Sequence, residues 1–167
     1  MPASQSFVPL CCPSPTWVKI NVDGAVHPST SAAAIGGICR SDSGEWIFGF
    51  SRRIGCCSIL NAELWVIFYG LQYVWRRGYC RVIIESDCRE AICCVTNGDV
   101  APMVNGLVVI REWLQPSWEV KVNHIFRQSN MVVDWLAKAL RDHKVRTVFF
   151  EKPPDGIHTL LESDLQR

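Results

Sequence analysis

Hydrophobic and polar residues alternate along Trp17-Val18-Lys19-Ile20-Asn21-Val22-Asp23-Gly24. Val18, Ile20 and Val22 point one way and Lys19, Asn21 and Asp23 the other, which is the period of a two-faced strand. The run ends on a carboxylate followed by glycine. Taken alone, Asp-Gly is a common way to close a strand in a turn. An acid at a strand's C-terminal end is also where an α/β sheet places chemistry. Gly24 to Ser31 reads as a loop. Ala32 to Arg40 reads as a second strand, and its paired Gly36-Gly37 suggests a bulge or the close approach of another backbone. Asp42-Ser43-Gly44 is a turn, and Glu45 to Arg52 a third strand. Such short connections predict an antiparallel meander.

The pattern then changes. Asn61 to Arg77 is apolar almost all round, which predicts a buried helix, with Ser58 or Asn61 as its cap and Gly78 as its stop. Glu63 falls in its first turn, where the helix dipole favours a carboxylate. Arg81 to Ser86 is a fourth strand, plausibly parallel to the first because a helix lies between them. It ends at Asp87, either an N-cap for a helix over Arg89–Thr96 or a second acid at the sheet's edge. A further helix is expected over 103–114, with Val104, Leu107, Val108 and Leu114 as its buried side. Ser117 to Phe126 alternates as a fifth strand. Arg127 to Asn130 connects it to a helix over 131–142, whose Val132, Val133, Leu136, Ala137 and Leu140 share a face. Asp134 lies in the first turn of that helix.

Residues 1–15, rich in Ser and Pro, read as a flexible leader, 16–143 as one folded domain, and 144–167 as a tail that lies on the surface or frays. The 167 residues are 49% hydrophobic and 20% charged, as in a globular chain with a real core. A net charge of +1 excludes a strongly basic nucleic-acid binder, so any such binding must use local patches. Nine cysteines occur without a single C-x-x-C spacing, so no zinc ribbon is offered. They read as free thiols in a reducing compartment, which implies an intracellular protein of cytoplasm or nucleus.

Asp23, Glu63, Asp87 and Asp134 sit on four separate elements. If the fold gathers them, their repulsion must be offset by something positive. A hard divalent cation with oxygen ligands is the natural answer, and Mg²⁺ suits carboxylates used together with substrate phosphates. Two such ions would clamp the attacking water and the leaving oxygen of a phosphodiester.

Five pieces in order carry a resemblance. They are Trp17–Gly24; Ala32–Arg40 with its two glycines; Asn61-Ala62-Glu63-Leu64-Trp65; Ile84-Glu85-Ser86-Asp87; and His124–Asn130 followed by Asp134-Trp135-Leu136-Ala137. Together they resemble the ribonuclease H family, type 1, in the reverse transcriptase-like version common in plant genomes. The resemblance implies an α/β fold with a five-stranded mixed sheet, strands one to three antiparallel, and helices on both faces. It implies hydrolysis of the RNA strand of RNA/DNA hybrids with two Mg²⁺ or Mn²⁺ ions; separately, a monomer is expected. Asp23, Glu63, Asp87 and Asp134 would be the metal-binding carboxylates.

Family members often place a mobile histidine before the last helix, to help water or product leave. His124 is the histidine nearby, and Arg127 is the alternative occupant of that position. Gly24, Ser58, Asn61, Arg127 and Asn130 are candidates for substrate contact, Asn130 being equally readable as a helix cap. Arg76, Arg77, Lys138, Arg141, Lys144 and Arg146 could meet phosphates. Three rival readings stand beside the hydrolase, one of them a structural or partner-binding domain in which all four acids are helix caps. A proofreading-type exonuclease would carry Asp-x-Glu on the first strand, where this chain has Asp23-Gly24-Ala25. A catalytically inactive nucleic-acid-binding remnant of a mobile element would keep the fold and lose the reaction.

Overall fold

The computed structural model describes residues 16–97, 105–114, 118–139 and 146–165. The elements in chain order are β1 (Val18–Val26), β2 (Ala32–Ser41), β3 (Trp46–Cys56), α1 (Ile59–Arg76), β4 (Arg81–Ser86), α2 (Arg89–Asn97), α3 (Asn105–Trp113), β5 (Glu119–His124), α4 (Met131–Ala139), β6 (Thr147–Phe150) and α5 (His158–Leu165). They form one mixed sheet of order β5-β4-β1-β2-β3-β6. The meander β1-β2-β3 is antiparallel, and β4 runs parallel to β1 as its neighbour. Crossing back through a helix is what allows that parallel pairing.

Alternation along the strands divides the core in two. On β2, Ile35 and Cys39 point into the larger cluster, shared with α1 residues Leu64, Ile67 and Leu71. Ile38 points the other way, to Val132, Val133 and Leu136 of α4. The nearly all-round apolarity of α1 is explained by its position, with the sheet beneath it and aromatic neighbours such as Trp113 beside it. Burying each large aliphatic side chain of this kind stabilises the fold by roughly 1.5–3 kcal/mol.

The nominally polar face of β1 is covered too. Asn21 and Asp23 are 6% exposed. Helix α4 lies over them, held at three points. A Cβ added to Gly36 would come within 2.6 Å of Ala137 N, so only glycine permits this approach. Ser51 Oγ donates to Leu136 O at 2.7 Å, and Asn130 Nδ2 donates to Val22 O at 2.9 Å.

Four expectations from the sequence need correction. The first strand does not end at Asp23. Gly24, Ala25 and Val26 continue the ladder opposite Ile35, Ala34 and Ala33, because small residues on both strands let them stay in register. The sheet has six strands, not five, and the segment read as a surface tail supplies the sixth. Thr147-Val148-Phe149-Phe150 is a β-prone run that pairs with the open edge of β3. Trp46 Nε1 donates to Phe150 O at 3.0 Å, and Ile157 is fully buried against the α4 side of the sheet. Finally, the thiols are not all free. Cys39, Cys56, Cys57, Cys88, Cys93 and Cys94 are, whereas Cys80 is disulfide-bonded, with its partner outside the described residues. The expected leader at 1–15, Val104, Leu107, Val108 and Leu140 as buried side chains, and Arg141 and Lys144 as phosphate contacts also fall outside what is described. No helix among the described residues is long and apolar enough to cross a membrane.

Candidate active site

Parallel pairing of β1 with β4 sets Val22 opposite Ser86. The next residue on β1 is Asp23, still inside the strand, and the residue just past β4 is Asp87, so the two acids stand side by side. Ser86 Oγ accepts the Cys88 N–H at 3.1 Å and turns the chain there, just before α2 begins at Arg89. Glu63 arrives from the other direction. Ser58 is the N-cap of α1, its hydroxyl accepting Asn61 N–H at 3.2 Å, so the helix starts at Ile59 and Glu63 lies beyond its first turn, not within it as the sequence suggested. Gly24 fixes the distance. A Cβ there would meet Ala62 backbone at 3.0 Å, and its own N–H donates to Glu63 Oε1 at 3.3 Å.

As a result, Asp23, Glu63 and Asp87 each offer an oxygen within 4.8 Å of the others. Asp23 and Glu63 are buried, and Asp87 is half-buried. Asp134 is the fourth acid and stands slightly apart. Its Oδ2 takes Lys138 Nζ at 2.8 Å along α4, yet its charge still acts on Asp23 and Asp87.

The electrostatic consequence is severe. Burial, then the charges of Glu63, Asp87 and Asp134, push the Asp23 carboxyl up to about 9. Burial likewise lifts Glu63 to about 7, against the pull of its contact with Asp23, the Gly24 N–H and the Arg127 guanidinium. Asp87 is raised chiefly by burial, with Arg127 opposing. Without a cation, this cluster holds protons at neutral pH. Glu63 Oε2 is buried and finds no hydrogen-bond donor among the described residues. Converging carboxylate oxygens, one of them unpartnered, are a donor set that fits a hard divalent cation.

The remaining candidates divide by position. His124 closes β5, and its Nε2 lies 3.2 Å from Asp87 O, at the rim of the cluster. Arg127 is exposed, and its charge reaches both Glu63 and Asp87. Ser58 is exposed and Asn61 half-exposed, beside Glu63 on the outer side of α1. Asn130 is 1% exposed with its amide on Val22 O, so it clamps α4 to β1 and does not present itself to a substrate. Arg76 lies thirteen residues beyond Glu63 on α1, about 20 Å along the helix, too far to serve the carboxylates. The sequence reading did not single out Arg52 and Arg53 of β3, although their doublet inside a strand was visible.

A family profile described as reverse transcriptase-like matches residues 21–140. A curated protein of Arabidopsis thaliana with a provisional ribonuclease H name is 32% identical over 165 residues, 98% of this chain and 27% of that protein. The chain thus spans about a quarter of the length of that relative. Among solved structures, RNase H1 from the archaeon Halobacterium salinarum superposes with a TM-score of 0.70 at 22% identity, covering 75% of this chain and 98% of that one. The N-terminal RNase H domain of a Mycobacterium tuberculosis protein gives 0.69 at 17%, covering 76% and 94%. LC11-RNase H1, solved with an RNA/DNA hybrid, gives 0.66 at 17%, covering 73% and 94%. At these identities the structures establish a shared fold.

Proposed function

The chain belongs to the ribonuclease H family in its reverse transcriptase-like form, and on that premise we propose that it is a metal-dependent endonuclease that hydrolyses the RNA strand of RNA/DNA hybrids. The observation that carries this reading is the convergence of Asp23, Glu63 and Asp87 within 4.8 Å at one end of the sheet. These three would hold the divalent ions, Mg²⁺ or Mn²⁺, two being the expected number, with Asp134 as the fourth ligand. Such ions would activate the attacking water and stabilise the departing oxygen.

The protein's own groups do the rest. The Gly24 N–H holds Glu63 in place. Arg127 sets a positive charge beside the cluster, suited to a substrate phosphate. Ser58 and Asn61 flank the cluster on the side where a nucleic-acid backbone would pass. His124 at the rim is placed to help water or product leave. Discrimination between RNA and DNA would come from groove shape and the 2′-hydroxyl, not from sequence.

One observation favours a second reading. The Asp134 carboxylate is engaged by Lys138. If that pair held in the complex, the site would lack its fourth ligand and the chain would bind hybrids without cutting them. A hybrid with distinct labels on its two strands, incubated with Mg²⁺ or Mn²⁺, separates these readings. Cleavage confined to the RNA strand is expected. Hybrid binding with neither strand cut would favour the inactive form.

A further inference from the structure

A second constellation lies along the outer edge of α1, away from the carboxylates. Strand β6 extends the sheet past β3, and its Thr147 and Phe149 face the C-terminal half of α1 across a cavity of about 650 Å³. A smaller cavity of about 190 Å³ continues it toward Trp65, sharing Arg52 and Tyr69 as walls and adding Arg53 and Arg146. Five arginines thus border one groove, Arg52, Arg53, Arg76, Arg77 and Arg146, in a chain whose net charge is only +1. Glu151 takes one of them, pairing with Arg77 at 2.8 Å.

Arg52 is the fixed point. Its guanidinium lies 4.3 Å from the Tyr69 ring centroid, and its Nη1 donates to Thr147 Oγ1 at 2.8 Å. Its Nε has no acceptor among the described residues. A buried, unspent donor on a cation is costly unless an anion comes near. The Arg77 guanidinium is stacked in a similar way, 4.0 Å from the Phe48 ring and 5.0 Å from Phe149. Phe149 stays 41% exposed at the mouth. Arginines held against rings, beside an exposed aromatic face, combine phosphate contact with a stacking platform.

We propose that this groove binds a single-stranded nucleic-acid segment, the strand that runs on beyond the hybrid, through its phosphodiester backbone. Length decides between that ligand and a small anion. From Trp65 to Arg76 the groove follows about 16 Å of helix, with arginines spaced along it. A lone phosphate would need one cluster, whereas a polynucleotide offers charges at intervals. The choice of nucleic acid as ligand rests on the hydrolase reading above, but binding at the groove does not require cleavage.

The test measures binding of a labelled ten-nucleotide single strand by fluorescence anisotropy, in EDTA so that no reaction occurs. The variants are Arg52→Ala and, because Arg52 is packed and its loss could disturb the fold, the surface pair Arg76→Glu with Arg146→Glu, each checked for an intact melting transition. The double variant should bind at least tenfold more weakly, with a salt slope shallower by about 0.7 for each phosphate it no longer neutralises. Inorganic phosphate and pyrophosphate serve as competitors and should displace the strand only at ionic strengths where sodium chloride does so equally. Unchanged affinity in the folded double variant would overturn the proposal. So would displacement by low concentrations of phosphate, which would mark a small-anion site. Strand binding here by a protein that leaves the labelled hybrid uncut with Mg²⁺ or Mn²⁺ would leave the groove standing and remove the hydrolase reading, and metal-dependent cleavage without strand binding would do the reverse.

Discussion

At the scale of single residues, the decisive property is the cost of placing Asp23, Glu63 and Asp87 together. Asp23 and Glu63 have carboxyls raised to about 9 and about 7. A group whose folded pKa exceeds its unfolded value stabilises the fold fully below the unfolded pKa and loses that contribution as pH rises to the folded one. In EDTA, the melting temperature should therefore fall between pH 5 and pH 9, and Mg²⁺ should restore more of it at pH 8 than at pH 5.5. Thermal melts at those two pH values, with and without metal, would show a flat response if the carboxylates were not coupled. Replacing one acid by its neutral amide should separate stability from chemistry. Asp23→Asn is expected to melt no lower than wild type at pH 8 without metal, while hybrid cleavage drops at least a hundredfold. Asn130 makes the opposite case. Asn130→Ala removes a buried hydrogen bond to Val22 O and should cost about 1–3 kcal/mol of stability, with the KM for hybrid unchanged. A raised KM at unaltered stability would return Asn130 to the substrate site.

At the scale of elements, the site depends on two close approaches, β1 to α1 at Gly24 and β2 to α4 at Gly36. Gly36→Ala should force α4 off the sheet, because its Cβ would lie 2.6 Å from Ala137 N. Overpacking of this kind costs about 1–3 kcal/mol, read as a lower urea midpoint. A midpoint equal to wild type would show that the helix is not pinned there. The glycine pair was legible in the sequence as a sign of close backbone approach, though not which backbone. The strands that carry or precede Asp23 and Asp87 were legible from alternation, although the first runs on past Asp23, and Glu63 was legible as an acid on the next helix, although not that it lies beyond the first turn. The burial of Asn21 and Asp23 was not. Alternation marks two faces, and cannot show that a later helix will cover the polar one. The pairing of Asp134 with Lys138 follows the ordinary spacing of an acid and a base four apart on a helix, and the sequence reading did not draw it. The four residues of β6 were too short a run to stand out, and their partner edge on β3 lies about a hundred residues upstream.

At the scale of the whole molecule, the sixth strand and α5 join the core instead of trailing from it. Removing residues 144–167 would uncover the β3 edge, the Trp46–Phe150 bond and the seat of Ile157. Loss of that one isoleucine alone is worth roughly 1.5–3 kcal/mol, so the shortened chain should melt several degrees lower and aggregate through its open edge. A shortened chain as stable as the full one would show the segment to be dispensable. The same segment builds the wall of the arginine groove, so single-strand binding should disappear with it. The central claim concerns the carboxylate cluster, and the most direct measurement is the rate of RNA-strand cleavage in a labelled hybrid as Mg²⁺ or Mn²⁺ is titrated, for wild type and Asp87→Asn, with duplex DNA as control. The account predicts metal-dependent cuts in the RNA strand alone, absent in the variant. Equal cleavage by the variant, or cleavage indifferent to EDTA, would contradict it.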